Sequence, residues 1–356
     1  MTGGNGDSTG SAGYGCPLPR ASFSAIRLGH GSGGKLTNQL IRDLFLPHLS
    51  GPTLSRLEDA AEVEFARERL AITTDSYVVS PIFFPGGDIG SLAVHGTIND
   101  LAMKGARPLY LTASFILEEG LSMDDLERVV KSLGSSAEEC AIEVVACDTK
   151  VVNKGAADKM FINTAGIGVI EIEDPPASDR AREGDVIIVS GEIGLHGMAI
   201  MCAREGLELE AEIESDSAPL YELAAAIFDT GLEIHCLRDL TRGGLASALI
   251  ELAESSKVGV ELDEERIPVA ERVKAACEIL GLDPLYVACE GRLVAFVPEN
   301  DAEEVLIAMQ GNGNGGRAAI IGKVTAEHPG KVVLRSRIGG RRHVDRLSGD
   351  QLPRIC

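Results

Sequence analysis

The sequence predicts a mixed α/β protein with two domains and a flexible C-terminal tail. Its 356 residues correspond to two domains at roughly 100 to 200 residues each. Strand-like and helix-like patterns alternate along both halves of the chain, which is typical of an α/β or α+β fold. Residues 173–179 contain two prolines and polar neighbours, and they interrupt the alternation. We therefore place the boundary between the domains at this segment.

The first domain is predicted to span residues 23–172, after a leader of residues 1–22. The leader is rich in Gly and Ser and has little to bury, so we expect it to be disordered. Ser122 with Asp125 three residues later predicts the N-terminus of a helix whose apolar residues share one face. Apolar runs predict strands at residues 70–73, 109–116, 142–146 and 159–170.

The second domain is predicted to span residues 180–338 and repeats the alternation. Gly231 and Gly281 predict the ends of two helices, because glycine is favoured just after a helix. Asp301 with Glu304 predicts the start of another helix. Strands are predicted at residues 185–190, 292–297, 318–323 and 331–334.

Residues 339–356 form the predicted flexible tail, which ends in Cys356. From residue 331 to the C-terminus the chain has seven basic and two acidic residues, whereas the whole chain has a net charge of −21. A basic arm on an acidic body favours docking, although a solvated, frayed terminus is the alternative.

Composition excludes two classes of partner. The chain has 54 Asp+Glu against 33 Lys+Arg, no Trp and 4% aromatic residues, whereas nucleic-acid surfaces need cations and aromatic platforms. No apolar run approaches the roughly 20 residues of a membrane span, and the N-terminus has no signal-like apolar segment. The eight cysteines form no C-x-x-C pair and are interpreted as reduced thiols. We therefore expect a cytoplasmic protein that binds neither nucleic acid nor membrane.

A glycine-rich segment at residues 29–36 follows a strand-like run and precedes a helical one. It almost matches the P-loop pattern, but Leu36 stands where a hydroxyl must bind Mg²⁺. Gly33, Gly34 and Lys35 instead predict a phosphate-facing loop of another kind, in which backbone N–H groups and the lysine approach an anion. A flexible turn is the alternative.

Carboxylates end three apolar runs, at Asp75, Asp148 and Glu290. Carboxylates at strand ends project into the crevice where α/β sheets bind ligands, although any one alone is an ordinary turn residue. Loops flanked by Gly or Asn contain three more: Asp59, Asp100 and Asp239. Together they predict oxygen ligands for Mg²⁺ that bridges nucleotide phosphates.

The segment from Asp239 to Gly244 leads directly into an apolar-faced helix. Its glycines and the helix N-terminus favour a phosphate, while Asp239 favours a cation. A plain N-cap by Asp239 or Thr241 is the alternative.

Several of these motifs occur together in one known family. The segments are His30–Lys35, Thr73–Val79, Phe84–Gly87, Gly96–Asp100, Asp148–Val152, Asp239–Gly244 and Pro353–Cys356. They resemble the HypE family of hydrogenase maturation proteins, from about residue 26 to the C-terminus. That family belongs to the superfamily of aminoimidazole ribonucleotide synthetase and selenophosphate synthetase. The resemblance implies a two-domain aminoimidazole ribonucleotide synthetase-like fold, ATP and Mg²⁺ as cofactors, and a homodimer with the nucleotide near the subunit interface.

The resemblance also implies an ATP-dependent carbamoyl dehydratase that acts on its own tail. In that reaction the carbamoyltransferase HypF places a carbamoyl group on the terminal thiol, here Cys356. ATP phosphorylates the carboxamide oxygen, and loss of phosphate leaves a thiocyanate. The cyanide then passes to iron on the HypC–HypD complex, for the active site of [NiFe] hydrogenase.

For the metal and phosphate site, the resemblance implies Asp75, Asp100 and Asp239. Asp59 is a further candidate in an altered context, because Glu58 stands before it where the family usually has another aspartate.

For catalysis, the resemblance implies Glu290 as the base that removes the amide proton and Lys150 as a group that steadies negative charge. Asn99 is implied to orient its loop. Asp148 is implied in nucleotide binding, although Cys147 stands where a glycine normally precedes it.

Two other functions stay open at this point. Another ATP-dependent small-molecule enzyme of the superfamily needs no terminal cysteine, and its selenium-using members carry a reactive Cys or selenocysteine near the glycine loop. A non-catalytic scaffold that presents its tail to partners predicts no ATP turnover.

Overall fold

The computed structural model describes residues 34–45, 54–65, 68–207, 212–347, 352 and 354–356. The predicted leader and Gly33 lie outside the described residues. Within the described part, none of the helices combines the length and apolar character needed to cross a bilayer.

Two large sheets and eight α-helices make up most of the described chain. The helices α1 to α8 are Lys35–Leu40, Ile89–Met103, Met123–Glu139, Leu195–Glu205, Tyr221–Phe228, Gly244–Ser256, Glu271–Leu280 and Ala302–Gln310. The strands β1 to β7 are Ala61–Phe65, Glu68–Tyr77, Phe83–Phe84, Gly87–Asp88, Ala106–Glu118, Glu143–Val152 and Met160–Ile170. The strands β8 to β14 are Val186–Val189, Cys236–Asp239, Gly259–Asp263, Leu293–Val297, Ala319–Thr325, Val332–Arg335 and Arg341–Val344.

The first sheet has the order β1-β2-β7-β5-β6. Its neighbours are antiparallel except β5 and β6, which are parallel and joined by the crossover helix α3. Helices α2 and α3 cover the inner face with an apolar core. The outer face exposes large apolar side chains, at Ile72, Tyr110, Ile116 and Val145.

The second sheet has the order β14-β13-β10-β12-β8-β11-β9, and only β10 and β13 pair in parallel. Alternate residues of β8 and β11 enter two different apolar clusters, one against α6 and the other against α5 and α8. A strand covered on both faces reads as a continuous apolar run, which is how 293–297 appears in the sequence.

Helix α2 joins the two domains. Twelve of its 15 residues are buried, because it packs on the first sheet and α3 on one side and on α5 and β9 on the other. Since it is apolar all round, it lacks the one-sided periodicity by which we predicted the helix after Ser122. Asp88 caps its N-terminus, with Oδ1 accepting hydrogen bonds from the backbone N–H of Gly90 at 2.7 Å and Ser91 at 3.2 Å.

The predicted helix starts at Ser122 and Asp301 are both confirmed, since α3 begins at Met123 and α8 at Ala302, but only Ser122 caps its helix with its side chain. Ser122 Oγ accepts hydrogen bonds from the backbone N–H groups of Asp124 and Asp125. A 3₁₀ turn at Glu299–Asp301 runs directly into α8, so Asp301 has helical backbone angles and makes no side-chain cap.

The prediction that carboxylates end three strands is also wrong. Asp75 lies inside β2 and Asp148 inside β6, because both strands continue past the polar residue. Glu290 follows a 3₁₀ turn at Pro284–Tyr286 and a short irregular segment, not a strand. By contrast, Asp239 is the last residue of β9.

The predicted tail of residues 339–356 starts with regular structure. Residues 341–344 form β14, which pairs antiparallel with β13 and buries Val344 in the core of the second domain. Among the described residues beyond it, Arg354 to Cys356 pack against the first domain.

Candidate active site between the domains

A small cavity of about 40 Å³ lies where the two domains meet. Five of the predicted site residues line it: Asp75, Asp100, Asp239, Glu290 and Cys356. Asp75 reaches it from the inner face of the first sheet, because it shares that face with the buried Thr73 and Tyr77.

Three aspartates at one end of the site form what we call the aspartate cluster: Asp59, Asp100 and Asp239. One carboxylate oxygen from each lies within 4.8 Å of the others. Thr73 ties two of them together, since its hydroxyl donates to Asp100 Oδ2 at 2.5 Å and lies 3.2 Å from the backbone carbonyl of Asp59.

Burial and mutual repulsion make this cluster electrostatically unfavourable by itself. Burial raises the pKa of Asp59 and of Asp100 well above the usual range, and it raises the pKa of Asp239 to about 7. Arg238 offsets part of the charge, with its Nε 2.7 Å from Asp59 Oδ1. Asp239 Oδ2 is buried and has no hydrogen-bond partner among the described residues. A group of three buried carboxylates, one of which has an unpaired oxygen, fits a divalent cation such as Mg²⁺.

Asp75 lies beside the aspartate cluster. The Tyr77 hydroxyl donates to its Oδ2 at 3.2 Å. Burial raises the pKa of Asp75, while the positive charge of Arg242 lowers it. A Cβ atom at Gly96 would collide with the Tyr77 hydroxyl, so this glycine lets the tyrosine approach α2.

Glu290 lies beside the terminal cysteine. Its Oε1 is buried without a hydrogen-bond partner in the described chain. Burial, and then the negative charges of Asp239 and Asp216, raise the pKa of Glu290 well above its usual range. Two side chains hold its backbone: Asp216 Oδ1 accepts from its N–H at 3.0 Å, and Asn99 Nδ2 donates to its carbonyl at 3.3 Å.

Asn99 connects α2 to the second domain through several further bonds. Its Nδ2 also donates to the carbonyl of Ala218 at 3.1 Å, and its Oδ1 accepts from the backbone N–H of Leu220 at 2.7 Å. The side chain therefore crosslinks the segment before α5 to the loop that carries Glu290.

The thiol of Cys356 is partly buried in the cavity. Burial raises its pKa to about 12, Arg242 opposes the shift, and the charges of Glu290 and Asp75 add to it. The group is therefore a neutral thiol at neutral pH. Arg242 precedes Gly243 and Gly244, whose φ angles of 80° and 58° are strained for other residues.

The structure keeps Lys150 and Asp148 apart from this cavity. Lys150 pairs in register with Ile116, and Asp148 with Ser114, so both share the outer face of the first sheet. Both side chains are exposed, and Lys150 Nζ lies 3.2 Å from Asp148.

The described part of the glycine-rich loop meets a different segment. Lys35 begins α1, and its backbone N–H donates to the carbonyl of Leu347 at 3.0 Å. A Cβ atom at Gly34 would lie 2.8 Å from that same carbonyl oxygen. Neither residue lines the cavity.

Tyr77, Arg242 and Asp216 are functional candidates that sequence reasoning missed. Tyr77 and Arg242 lie inside recognised motifs, two residues after Asp75 and three after Asp239. Asp216 has no signal in the sequence, because its contact with Glu290 joins segments 74 residues apart.

Two family descriptions match the chain. AIR synthase related protein, N-terminal domain, matches residues 57–170, and AIR synthase related protein, C-terminal domain, matches residues 182–335. The two matched domains, with an acidic cavity between them, define an AIR synthase related protein.

More similar relatives identify the particular family. The chain is 53% identical to the carbamoyl dehydratase HypE of Azotobacter vinelandii, over 93% of this chain and 97% of the relative. It resembles a crystal structure of HypE in complex with ATP, with 49% identity, a TM-score of 0.79 and coverage of 93% and 100%. It also resembles a HypE–HypF complex, with 45% identity, a TM-score of 0.82 and coverage of 86% and 99%. The chain belongs to the HypE family, and the predicted fold class and family resemblance are confirmed.

Proposed function

We propose that the chain is an ATP-dependent carbamoyl dehydratase of [NiFe] hydrogenase maturation, which converts an S-carbamoyl group on Cys356 into a thiocyanate. The observation that carries the proposal is the position of the terminal thiol, beside the buried carboxylate of Glu290, whose Oε1 is unpaired, in a cavity between the domains. A scaffold that only displays its tail has no need to bury the terminal thiol against a buried carboxylate.

The chemistry requires a better leaving group and a base. A carboxamide oxygen leaves poorly, whereas the same oxygen bearing the γ-phosphoryl group of ATP leaves as phosphate. Phosphoryl transfer to that oxygen releases ADP, and loss of one of the two N–H protons leaves a neutral O-phosphoryl imidate. Breaking its C–O bond while the nitrogen loses the second proton gives S–C≡N and phosphate. Glu290 is the proposed proton acceptor, because its raised pKa makes it a stronger base than a solvated carboxylate.

We assign Mg²⁺ to the aspartate cluster and Asp75, where the cation would neutralise phosphate charge. Arg242 faces Cys356, and its positive charge favours negative charge that develops on the group attached to the Cys356 sulfur. Asn99 holds the loop of Glu290 in position.

The chain acts as a homodimer through the outer face of the first sheet. Exposed apolar side chains on this face favour a protein–protein interface, and a second copy of the chain provides the other side of that interface. Lys150 and Asp148 share the face, so they act on the site of the partner subunit rather than on their own. Gly33, Gly34 and Lys35 belong to the nucleotide site of this dimer.

HypF is the proposed donor of the carbamoyl group, and the HypC–HypD complex the acceptor of cyanide. The similarity to a HypE–HypF complex supports the first of these partners.

The reaction consumes ATP and needs a free thiol, and both conditions are met in the cytoplasm. The domain limits of 23–172 and 180–338 complete the proposal, and the family matches lie within them.

Intact mass measurement tests the reaction directly. The full chain is carbamoylated with HypF and then incubated with or without ATP and Mg²⁺. We expect ATP-dependent loss of one water, localised at Cys356 by peptide mapping. Cys356→Ala is the control, with unchanged folding and ATP binding but no modification. Dehydration by that variant, or ATP-independent loss of water in the parent chain, would contradict the proposal.

A further inference from the structure

Helix α4 carries two side chains that bind the backbone of the C-terminal tail. His196 and Arg204 lie near opposite ends of this helix, and each donates to a tail carbonyl. From this geometry we infer that His196 is a positioning residue for dehydration, acting with Ser215 and Arg204 as a tail clamp that fixes Cys356 beside Glu290. The inference rests on the proposed function, because the clamp serves catalysis only if the tail carries the substrate.

The hydrogen-bond partners of His196 define one tautomer. Its Nε2 lies 2.9 Å from the carbonyl oxygen of Ile355, and its Nδ1 lies 2.7 Å from Ser215 Oγ. Since a carbonyl only accepts, Nε2 carries the proton and Nδ1 accepts from the Ser215 hydroxyl. Complete burial lowers the pKa of His196 to about 4, so the ring is neutral at neutral pH. Ser215 Oγ also accepts from the backbone N–H of Ser217 at 3.0 Å, which orients its hydroxyl hydrogen toward His196.

Arg204 joins the tail to the segment that follows β2. Its Nη2 donates to the carbonyl of Arg354 at 2.8 Å and to that of Ser80 at 2.6 Å. Its Nε donates to the Ser80 carbonyl at 3.0 Å. A guanidinium that donates to two backbone segments fixes their positions relative to each other.

The same segment binds the other tail carbonyls. The backbone N–H of Val78 donates to the Cys356 carboxyl-terminal oxygen at 3.0 Å, and that of Ser80 to the Arg354 carbonyl at 3.2 Å. With His196 on Ile355, each of the last three residues has a main-chain oxygen held by a hydrogen bond. The Ile355 side chain, 3% exposed, is buried in the core of the first domain.

The clamp binds the tail through atoms other than the sulfur of Cys356. Its hydrogen bonds end on backbone carbonyls, and its apolar contact is made by Ile355. Free and carbamoylated tails therefore dock in the same way, and the substituent on the sulfur extends toward Glu290. Docking by a tethered segment replaces affinity for a free substrate with a high local concentration.

Alkylation of Cys356 in the full chain tests the clamp. Iodoacetamide is added at one fixed pH, and modification of Cys356 is followed by peptide mass spectrometry relative to the exposed Cys147 in the same sample. A neutral hydrogen bond contributes enough that its loss should raise the alkylation rate roughly 2- to 10-fold. We expect this increase for His196→Leu and for Ser215→Ala. His196→Gln, which keeps a donor near the position of Nε2, should restore most of the protection.

A second readout links the clamp to catalysis. Single-turnover dehydration of the carbamoylated chain should slow in His196→Leu and recover in His196→Gln, with ATP binding unchanged. Unchanged Cys356 alkylation in both His196→Leu and Ser215→Ala would overturn the clamp, and so would failure of His196→Gln to restore protection. Because alkylation needs no turnover, a parent chain that fails to dehydrate would reject the proposed function and leave this test intact.

Discussion

Asp59 and Asp100 belong to the same aspartate cluster, but their surroundings differ. Asp59 pairs with the buried Arg238, whereas Asp100 receives one side-chain hydrogen bond from Thr73 and is otherwise surrounded by negative charge. The charged form of each carboxylate is destabilised by burial, but Arg238 offsets part of that cost only at Asp59, although both are proposed to bind the same cation.

We predict that Asp100→Asn stabilises the metal-free protein and that Asp59→Asn stabilises it less. Neutralising Asp100 removes repulsion within the cluster. Neutralising Asp59 also removes repulsion, but it takes one of two close carboxylate partners from the buried Arg238 and leaves it with Glu251. Chemical denaturation in EDTA measures both. Both variants should lose stabilisation by Mg²⁺, and a larger gain in stability for Asp59→Asn than for Asp100→Asn in EDTA would contradict this account.

We predict that Glu290→Gln separates nucleotide binding from dehydration. Gln keeps the shape but accepts no proton, so dehydration should fall by ~10² to 10⁴ while ATP binding is retained. Nucleotide binding, the thermal midpoint and thiocyanate formation are measured on one preparation. Normal dehydration in the variant would remove Glu290 from the role of base. A loss of ATP binding that accompanies the loss of dehydration would do the same.

At the scale of elements, strand β6 decides which face of the first sheet Lys150 occupies. A one-residue bulge interrupts the pairing of β5 with β6 between Leu111 and Thr112. Beyond it, Asp148 and Lys150 share the outer face with Ser114 and Ile116, whereas Asp75 faces inward from β2. Lys150 and the cavity of its own chain therefore lie on opposite faces of one sheet.

We predict that two inactive variants, Lys150→Ala and Cys356→Ala, restore activity when mixed and allowed to exchange subunits. In the mixed dimer, the intact tail of one chain meets Lys150 of the partner subunit. About half of the dimers are mixed at equal concentrations and each has one working site, so activity should approach a quarter of the parent value. Dehydration is measured after exchange.

The control for complementation places a charge on the apolar outer face. Ile116→Asp in both chains should give monomers by size-exclusion chromatography and abolish the restored activity. If Lys150 acts on its own chain, the mixture stays inactive even though dimers form.

At the scale of the whole molecule, the cavity exists because a helix of one domain is buried against the other. His95 on α2 has its Nδ1 3.1 Å from Ser217 Oγ, and His196 on α4 bonds the tail. Burial lowers the pKa of each histidine to about 4. The joined domains and the docked tail thus depend on neutral imidazoles.

We predict that His196→Gln reduces the loss of stability between pH 6.5 and pH 5. A histidine whose pKa is lowered by folding binds fewer protons when folded. Its contribution to the free energy of unfolding is therefore complete above the unfolded pKa of about 6.5 and is lost as the pH falls toward 4. At pH 5 this amounts to about 2 kcal/mol for His196.

The measurement is the difference between parent and variant in chemical denaturation at pH 7 and pH 5. A difference is needed because the buried carboxylates act in the opposite sense. Folding raises the pKa of Asp239 to about 7, so its protonation stabilises the folded state at low pH. This contribution to the free energy of unfolding is lost as the pH rises from about 4 to 7. A parent-minus-variant difference that does not change with pH would show that His196 is not a buried neutral group.

Local patterns in the sequence were sufficient for much of this protein. The alternation of strands and helices predicted the two-domain fold, and short motifs identified the family. The same motifs selected Asp75, Asp100, Asp239 and Cys356, and an apolar run that ends at a carboxylate selected Glu290. The structure brings all five to one cavity. These predictions succeed because strand and helix periods and motif spacings are properties of neighbouring residues.

Tertiary structure decided what depends on distant segments. The face occupied by Lys150 follows from a bulge and from strand register, and a shift of one residue reverses the face. The apolar helix α2 has no one-sided pattern, because both domains bury it. The clamp on the tail joins His196 to Ile355 across 159 residues. Such contacts exist only after the chain has folded, since no local period encodes which distant carbonyl a buried histidine meets.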